Sequence, residues 1–179
     1  MTFDHLWAGW RSAYVTSVSD AFATPGEAPG TPAGADTPEN CLFCRLLATG
    51  TEDEHYVVFR GRRAAALLNA YPYASGHLLV LPTRHLRTLG DLDGEESAEL
   101  WEMTRDATIA LEHAYSPDGL NLGVNLGRAA GAGLPDHLHF HVVPRWVGDT
   151  NFMTTVASVR VLPEALQESW RRIVAAWPH

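Results

Sequence analysis

The segment His137-Leu138-His139-Phe140-His141-Val142-Val143-Pro144 sets three imidazoles at alternate positions with an apolar residue after each. On a strand, that alternation puts His137, His139 and His141 on one face and Leu138, Phe140 and Val142 on the other. A helix would place His139 about 200° from His137 and scatter the set. The pattern therefore predicts a strand whose apolar side joins a core and whose histidine side faces a site. Each imidazole brings two ring nitrogens that need partners, so a row of them is a costly face to bury without a chemical role.

The chain has 179 residues, of which 46% are hydrophobic and 19% charged. That length and balance fit one globular domain whose core needs no disulfide scaffold. Short Val- and Leu-rich runs bounded by Gly, Pro or Asn predict strands at 55–59, 63–68, 77–81, 120–126, 138–144 and 156–162. Gly61 between the first two predicts a hairpin. Asp93 followed by Glu96 is a helix-start signal, and Leu100, Met103, Ala107, Ala110, Leu111 and Ala114 follow at helical spacing. A second helix is predicted from Pro163, with Leu166, Trp170, Ile173, Val174 and Trp177 on one face. One antiparallel sheet of five or six strands backed by two helices is the simplest α+β packing of these elements.

Residues 17–39 interleave Pro25, Pro29, Pro32 and Pro38 with Gly26, Gly30 and Gly34 and read as a linker. They separate an aromatic segment, 1–16 with Trp7 and Trp10, from the body at 40–179. The aromatic segment is expected to dock on the body or on a second subunit. Residues 1–15 hold no apolar run of signal-peptide length, and no run elsewhere approaches the roughly 20 residues of a membrane span. A soluble, cytoplasmic protein is the expectation.

A formal net charge of −8 argues against nucleic-acid and membrane partners, which are held by broad positive patches. All thirteen basic residues are arginines, and the absence of lysine excludes Schiff-base, pyridoxal-phosphate and Walker A chemistry. Three uses of the histidine strand compete: one metal held by all three imidazoles, a single general base, or a middle nucleophile aimed by its neighbours at phosphorus. Residues 125–134, rich in glycine and carrying Arg128, enter the strand and are placed to cradle an anion on backbone amides. Cys41-Leu42-Phe43-Cys44 closes too small a loop to staple the domain, and with later histidines it suggests zinc.

In His137 to Val143 the chain resembles the histidine-triad (HIT) family of nucleotide hydrolases and transferases, whose mark is His-φ-His-φ-His-φ-φ with φ apolar. The resemblance continues through Asn69 to Pro82, with its Gly76-His77 pair, and through Val124-Asn125-Leu126-Gly127. It looks closest to the bacterial branch that acts on diadenosine tetraphosphate. It implies a HIT-like sheet extended across a homodimer through the longer helix and a strand. It also implies that His139 attacks the α-phosphorus, that His141 contacts the phosphate, and that His77 supports the histidines. Asn69 would bond ribose, while Asn125 and the amides near Gly131 and Gly133 would hold phosphate. Where many relatives have Ser, Thr or Gln, this chain has Ala132, Gly133 and Leu134, so backbone amides or Arg128 would substitute.

Zinc-bearing relatives imply a structural ion held by Cys41, Cys44, His85 and His137, with no organic cofactor. The activity implied is cleavage of dinucleoside polyphosphates, with inorganic phosphate as acceptor giving ADP and ATP. Arg128 or Arg145 would offset the phosphate charge. Hydrolysis, phosphoramidate cleavage and a nucleotide-binding interaction module are the alternatives.

Overall fold

The computed structural model describes residues 37–149 and 164–178. The aromatic segment, most of the linker and the predicted strand at 156–162 lie outside the described residues. In chain order the elements are α1 (Leu42–Ala48), β1 (Val57–Arg60), β2 (Ala64–Leu68), β3 (Leu78–Pro82), α2 (Gly94–Tyr115), β4 (Gly119–Val124), β5 (Phe140–Arg145) and α3 (Leu166–Ala176), with single turns of 3-10 helix at Leu89–Asp91 and Arg128–Ala130. The five strands form one antiparallel sheet in the order β1-β2-β3-β5-β4. No helix among the described residues is long and apolar enough to cross a membrane.

The predicted hairpin forms, closed by the Gly61 amide on the Ala64 carbonyl at 2.9 Å. α2 starts as its capping signal requires. The Asp93 carboxylate accepts the Glu96 amide at 2.7 Å, and the Glu96 carboxylate accepts the Asp93 amide at 2.9 Å, satisfying two donors that a helix start leaves without partners. α2 and α3 cover one face of the sheet. There Ala64, Ala66, Leu68, Leu78, Val80, Leu138 and Val142 share a buried cluster with Leu100, Met103, Ala107, Ala110, Leu111, Ile173 and Trp177. Burying each Leu or Ile side chain of this kind contributes about 1.5–3 kcal/mol before entropy is subtracted.

Several elements depart from expectation. The helices number three rather than two among the described residues, because residues 42–48 coil into α1, whose Phe43 packs with Val57, Leu67, Leu79 and Leu81 on the other face of the sheet. With both faces covered, β2 and β3 are buried along their whole length, which explains their unbroken apolar runs. α3 begins at Leu166 rather than Pro163, and Val174 is exposed rather than buried. β4 runs 119–124 rather than 120–126. β5 begins only at Phe140, because the Leu138 amide donates to the Leu86 carbonyl (2.7 Å) instead of extending the ladder to β3. The alternation of faces nevertheless persists through the approach, with Leu138 and Phe140 on the helix-covered side.

Candidate active site and metal site

The face opposite α2 carries the histidines. His141 on β5 lies across from Leu79 of β3 and Gly123 of β4. A Cβ on Gly123 would meet nothing within 4 Å, so the space beside His141 on that face is open. His77 enters β3 after a loop that closes when the Asn69 amide donates to the His77 carbonyl at 2.9 Å. Gly76 sits at φ +79, and a Cβ there would lie 2.7 Å from Cε2 of Tyr115, so both conformation and space require glycine.

Each catalytic-candidate imidazole is held in one tautomer. The Tyr73 backbone amide, which can only donate, lies 3.0 Å from Nδ1 of His77. The proton of neutral His77 is therefore on Nε2, where it donates to Nδ1 of His141 at 2.9 Å. His141 in turn keeps its own proton on Nε2. Asn69 adds its side-chain nitrogen 3.3 Å from Nδ1 of His77, and its oxygen accepts the Tyr71 amide at 2.9 Å. His139 donates Nδ1–H to the His137 carbonyl at 2.8 Å, which leaves the Nε2 lone pair available. Burial holds the His139 imidazole below its usual pKa, opposed by that carbonyl, and so favours the neutral, nucleophilic form. Its ring lies 5.1 Å from those of His141 and Phe43.

His137 turns to a different neighbour set. Its Nε2–H donates to the Pro82 carbonyl at 2.9 Å, and its Nδ1 lies 3.3 Å from Sγ of Cys41 and 3.6 Å from Sγ of Cys44. Nδ1 of His85 lies 3.5 Å from Sγ of Cys44, and all four ligand atoms fall within 4.8 Å of one another. Tetrahedral zinc, with bonds of about 2.3 Å to sulfur and 2.05 Å to nitrogen, separates such atoms by about 3.6 Å. The donor set fits that ion, and the Pro82 carbonyl aims the His137 lone pair at it. Burial pushes His137 down to about 4, while burial and the neighbouring Cys41 push the Cys44 thiol up to about 12.

The remaining sequence candidates are placed as follows. Asn125 is half-buried at the end of β4, and Arg128 is exposed on the turn Arg128–Ala130. Gly133 is half-buried, whereas the Gly131 amide donates to the Arg128 carbonyl at 2.9 Å. Arg145, expected as a phosphate counter-charge, is instead engaged by both Asp149 oxygens and donates to the Asn121 side chain at 2.8 Å. Sequence reasoning missed Tyr73 and Phe43. The only signal for either was local: Phe43 sits between the two cysteines, and Tyr73 stands four residues before His77.

Residues 50–147 match the HIT domain. The chain belongs to the HIT family. Over 127 residues it is 44% identical to the protein named AP-4-A phosphorylase of Mycobacterium tuberculosis, a match covering 71% of this chain and 65% of that protein. The chain thus spans less than two thirds of that relative's length. Among solved HIT-fold structures, a hypothetical histidine triad nucleotide-binding protein from Sulfolobus tokodaii superposes with a TM-score of 0.63 at 31% identity, covering 76% of this chain and 91% of that one. A zinc-bound histidine triad family protein from Mycobacterium smegmatis gives a TM-score of 0.63 at 28% identity, covering 78% and 94%. These relatives place the chain in the HIT branch of AP-4-A phosphorylase, and its antiparallel sheet is the one the sequence predicts, with one helix more among the described residues.

Proposed function

We propose that this HIT protein cleaves dinucleoside polyphosphates, diadenosine tetraphosphate foremost, through a covalent nucleotidyl-histidine, and passes the nucleotide to inorganic phosphate. The observation that carries the reading is the bond from His139 Nδ1–H to the His137 carbonyl, which leaves Nε2 as an oriented lone pair. The likeness to AP-4-A phosphorylase supports the substrate class.

Nε2 of His139 bonds to the α-phosphorus as the P–O bond to the departing ATP breaks, and the positive charge gained by the ring is shared through Nδ1–H with the His137 carbonyl. His141 donates Nε2–H to the phosphoryl oxygens, its proton held there by His77 and the Tyr73 amide. A phosphate oxygen then attacks the same phosphorus, the P–N bond breaks with its electron pair returning to Nε2, and ADP leaves. ATP leaves as an anion near neutral pH and His139 leaves the second step as a neutral imidazole, so hydrogen-bond donation suffices and no strong acid is needed. Asn69 binds ribose, and Asn125, Arg128 and the loop at Gly131 and Gly133 bind phosphate oxygens. Cys41, Cys44, His85 and His137 hold zinc, which when bound ties α1 to the approach of the catalytic strand. A homodimer across α2 and edge strand β4 belongs to the same reading, supported by exposed Trp101 and Leu122.

Incubation with diadenosine tetraphosphate, with and without phosphate, tests the proposal. ADP and ATP in the presence of millimolar phosphate are expected. AMP as the main product under that condition makes the protein a hydrolase instead, and full turnover by His139→Ala removes the covalent step.

A further inference from the structure

Tyr73 lies on the loop that enters β3, where the His77 amide donates to the Ala74 carbonyl at 3.2 Å. That tight turn brings the half-buried Tyr73 side chain back over the histidines. Its ring centroid is 4.6 Å from that of His77, with planes inclined at 48°, and 5.9 Å from that of His141, with planes only 13° apart. Both separations fall in the range where aromatic rings attract with preferred orientations, and the second is a parallel stack. His141 needs such a brace. The bond from His77 Nε2–H holds its Nδ1 alone, and one hydrogen bond tolerates a wide swing of the acceptor ring. His139 meets the same ring edge to face, at 67°. On the β4 flank the cross-strand partner is Gly123, which has no side chain to press on the imidazole. Rotation of the His141 ring about its Cβ–Cγ bond closes one edge on the Tyr73 ring, so the stack limits that rotation.

We propose that Tyr73 is a positioning residue whose ring, stacked on His141, sets the plane of that imidazole and aims its Nε2–H at the phosphoryl oxygens. The proposal rests on the reading of His141 as the phosphoryl donor. The Tyr73 backbone amide already decides which nitrogen of His77 carries the proton, so one residue governs both where the proton sits and where it points. The aim of a donor matters most as charge develops on the phosphoryl group, so loss of the stack acts on the chemical step. Asn69, on the same loop, provides the control: a variant that merely collapses the loop also disturbs the Asn69 side chain and raises KM.

The test measures turnover of diadenosine tetraphosphate with millimolar phosphate by the full chain, Tyr73→Leu and Tyr73→Phe. Tyr73→Leu keeps the backbone amide and apolar bulk but has no flat face, and its kcat should fall about tenfold with KM within about twofold. Tyr73→Phe keeps the ring and should restore kcat to within about threefold of wild type. In a His141→Ala background, adding Tyr73→Leu should change kcat less than about twofold, because a residue that acts through His141 has nothing left to position. Wild-type kcat in Tyr73→Leu, a rise in KM alone, no restoration by Tyr73→Phe, or a full tenfold loss in the His141→Ala background overturns the proposal. Should Tyr73→Leu fail to fold, magnetic resonance of the wild type decides the matter: cross-relaxation between the Tyr73 and His141 ring protons is expected, and its absence refutes the stack. An inactive wild type overturns the proposed function and this inference with it, whereas an active wild type with an indifferent Tyr73→Leu overturns this inference alone.

Discussion

Glu96 is buried to 4% exposure and ionised. One of its carboxylate oxygens accepts Nε–H of Arg84 at 2.7 Å, and the other accepts an Arg84 Nη2–H at 2.7 Å and the Asp93 amide at 2.9 Å. The Arg84 guanidinium, aided by the Asp93 amide, holds the carboxyl at about 2 against the opposing effect of burial. Glu96→Gln preserves shape but must turn its NH2 toward a donor, so one of these contacts becomes repulsive and Arg84 loses its counter-charge. Breaking a fully buried pair costs about 3–5 kcal/mol, and losing one charge-assisted hydrogen bond about 1.5–3 kcal/mol. Arg84 is 53% exposed and can turn to water, so the lower range applies, and about 2 kcal/mol is expected. For a chain of this size that lowers Tm by roughly 4–8 °C. The folded pKa lies below the ordinary value of 4.5, so the stabilisation is complete above that pH and is lost as pH falls toward about 2. Urea unfolding of wild type and variant at pH 7, 4 and 3 should show a gap that is largest at pH 7 and narrows on acidification. No gap at pH 7, or one that widens in acid, refutes the reasoning.

Gly76→Ala should lose about 1–3 kcal/mol, because φ +79 and the 2.7 Å approach to Tyr115 both resist a Cβ; an unchanged melting temperature would contradict this. His77→Phe keeps a ring but removes the donor to His141, and kcat for diadenosine tetraphosphate should fall about 100-fold with KM little altered, whereas unchanged kcat would dismiss the tautomer relay. Elemental analysis should find one zinc per chain in the wild type and none in Cys44→Ser; because the thiols must lose protons to bind, retention should weaken as pH falls, and pH-independent retention would argue against the site.

The alternation of His137, His139 and His141 with apolar residues is a local property, and it disclosed which face was core and which was site before any packing was known. The Asp93–Glu96 capping signal was legible for the same reason, since both partners lie within one helical turn. The different duties of the three histidines were not legible, because they are assigned by atoms distant in the chain. His137 meets Cys41 across 96 residues and the Pro82 carbonyl across 55, while His141 meets His77 across 64. α1 was missed because a seven-residue helix is too short for periodicity to declare, and it depends on tertiary packing of Phe43 for its stability. The engagement of Arg145 by Asp149 and Asn121 likewise depends on where β5 ends beside β4. Sequence alone determined the alternation of faces along the histidine segment and which side chains share its histidine face. Only the tertiary structure decided which nitrogen of each imidazole carries a proton, because that is set by whichever carbonyl or amide the fold brings to the other nitrogen.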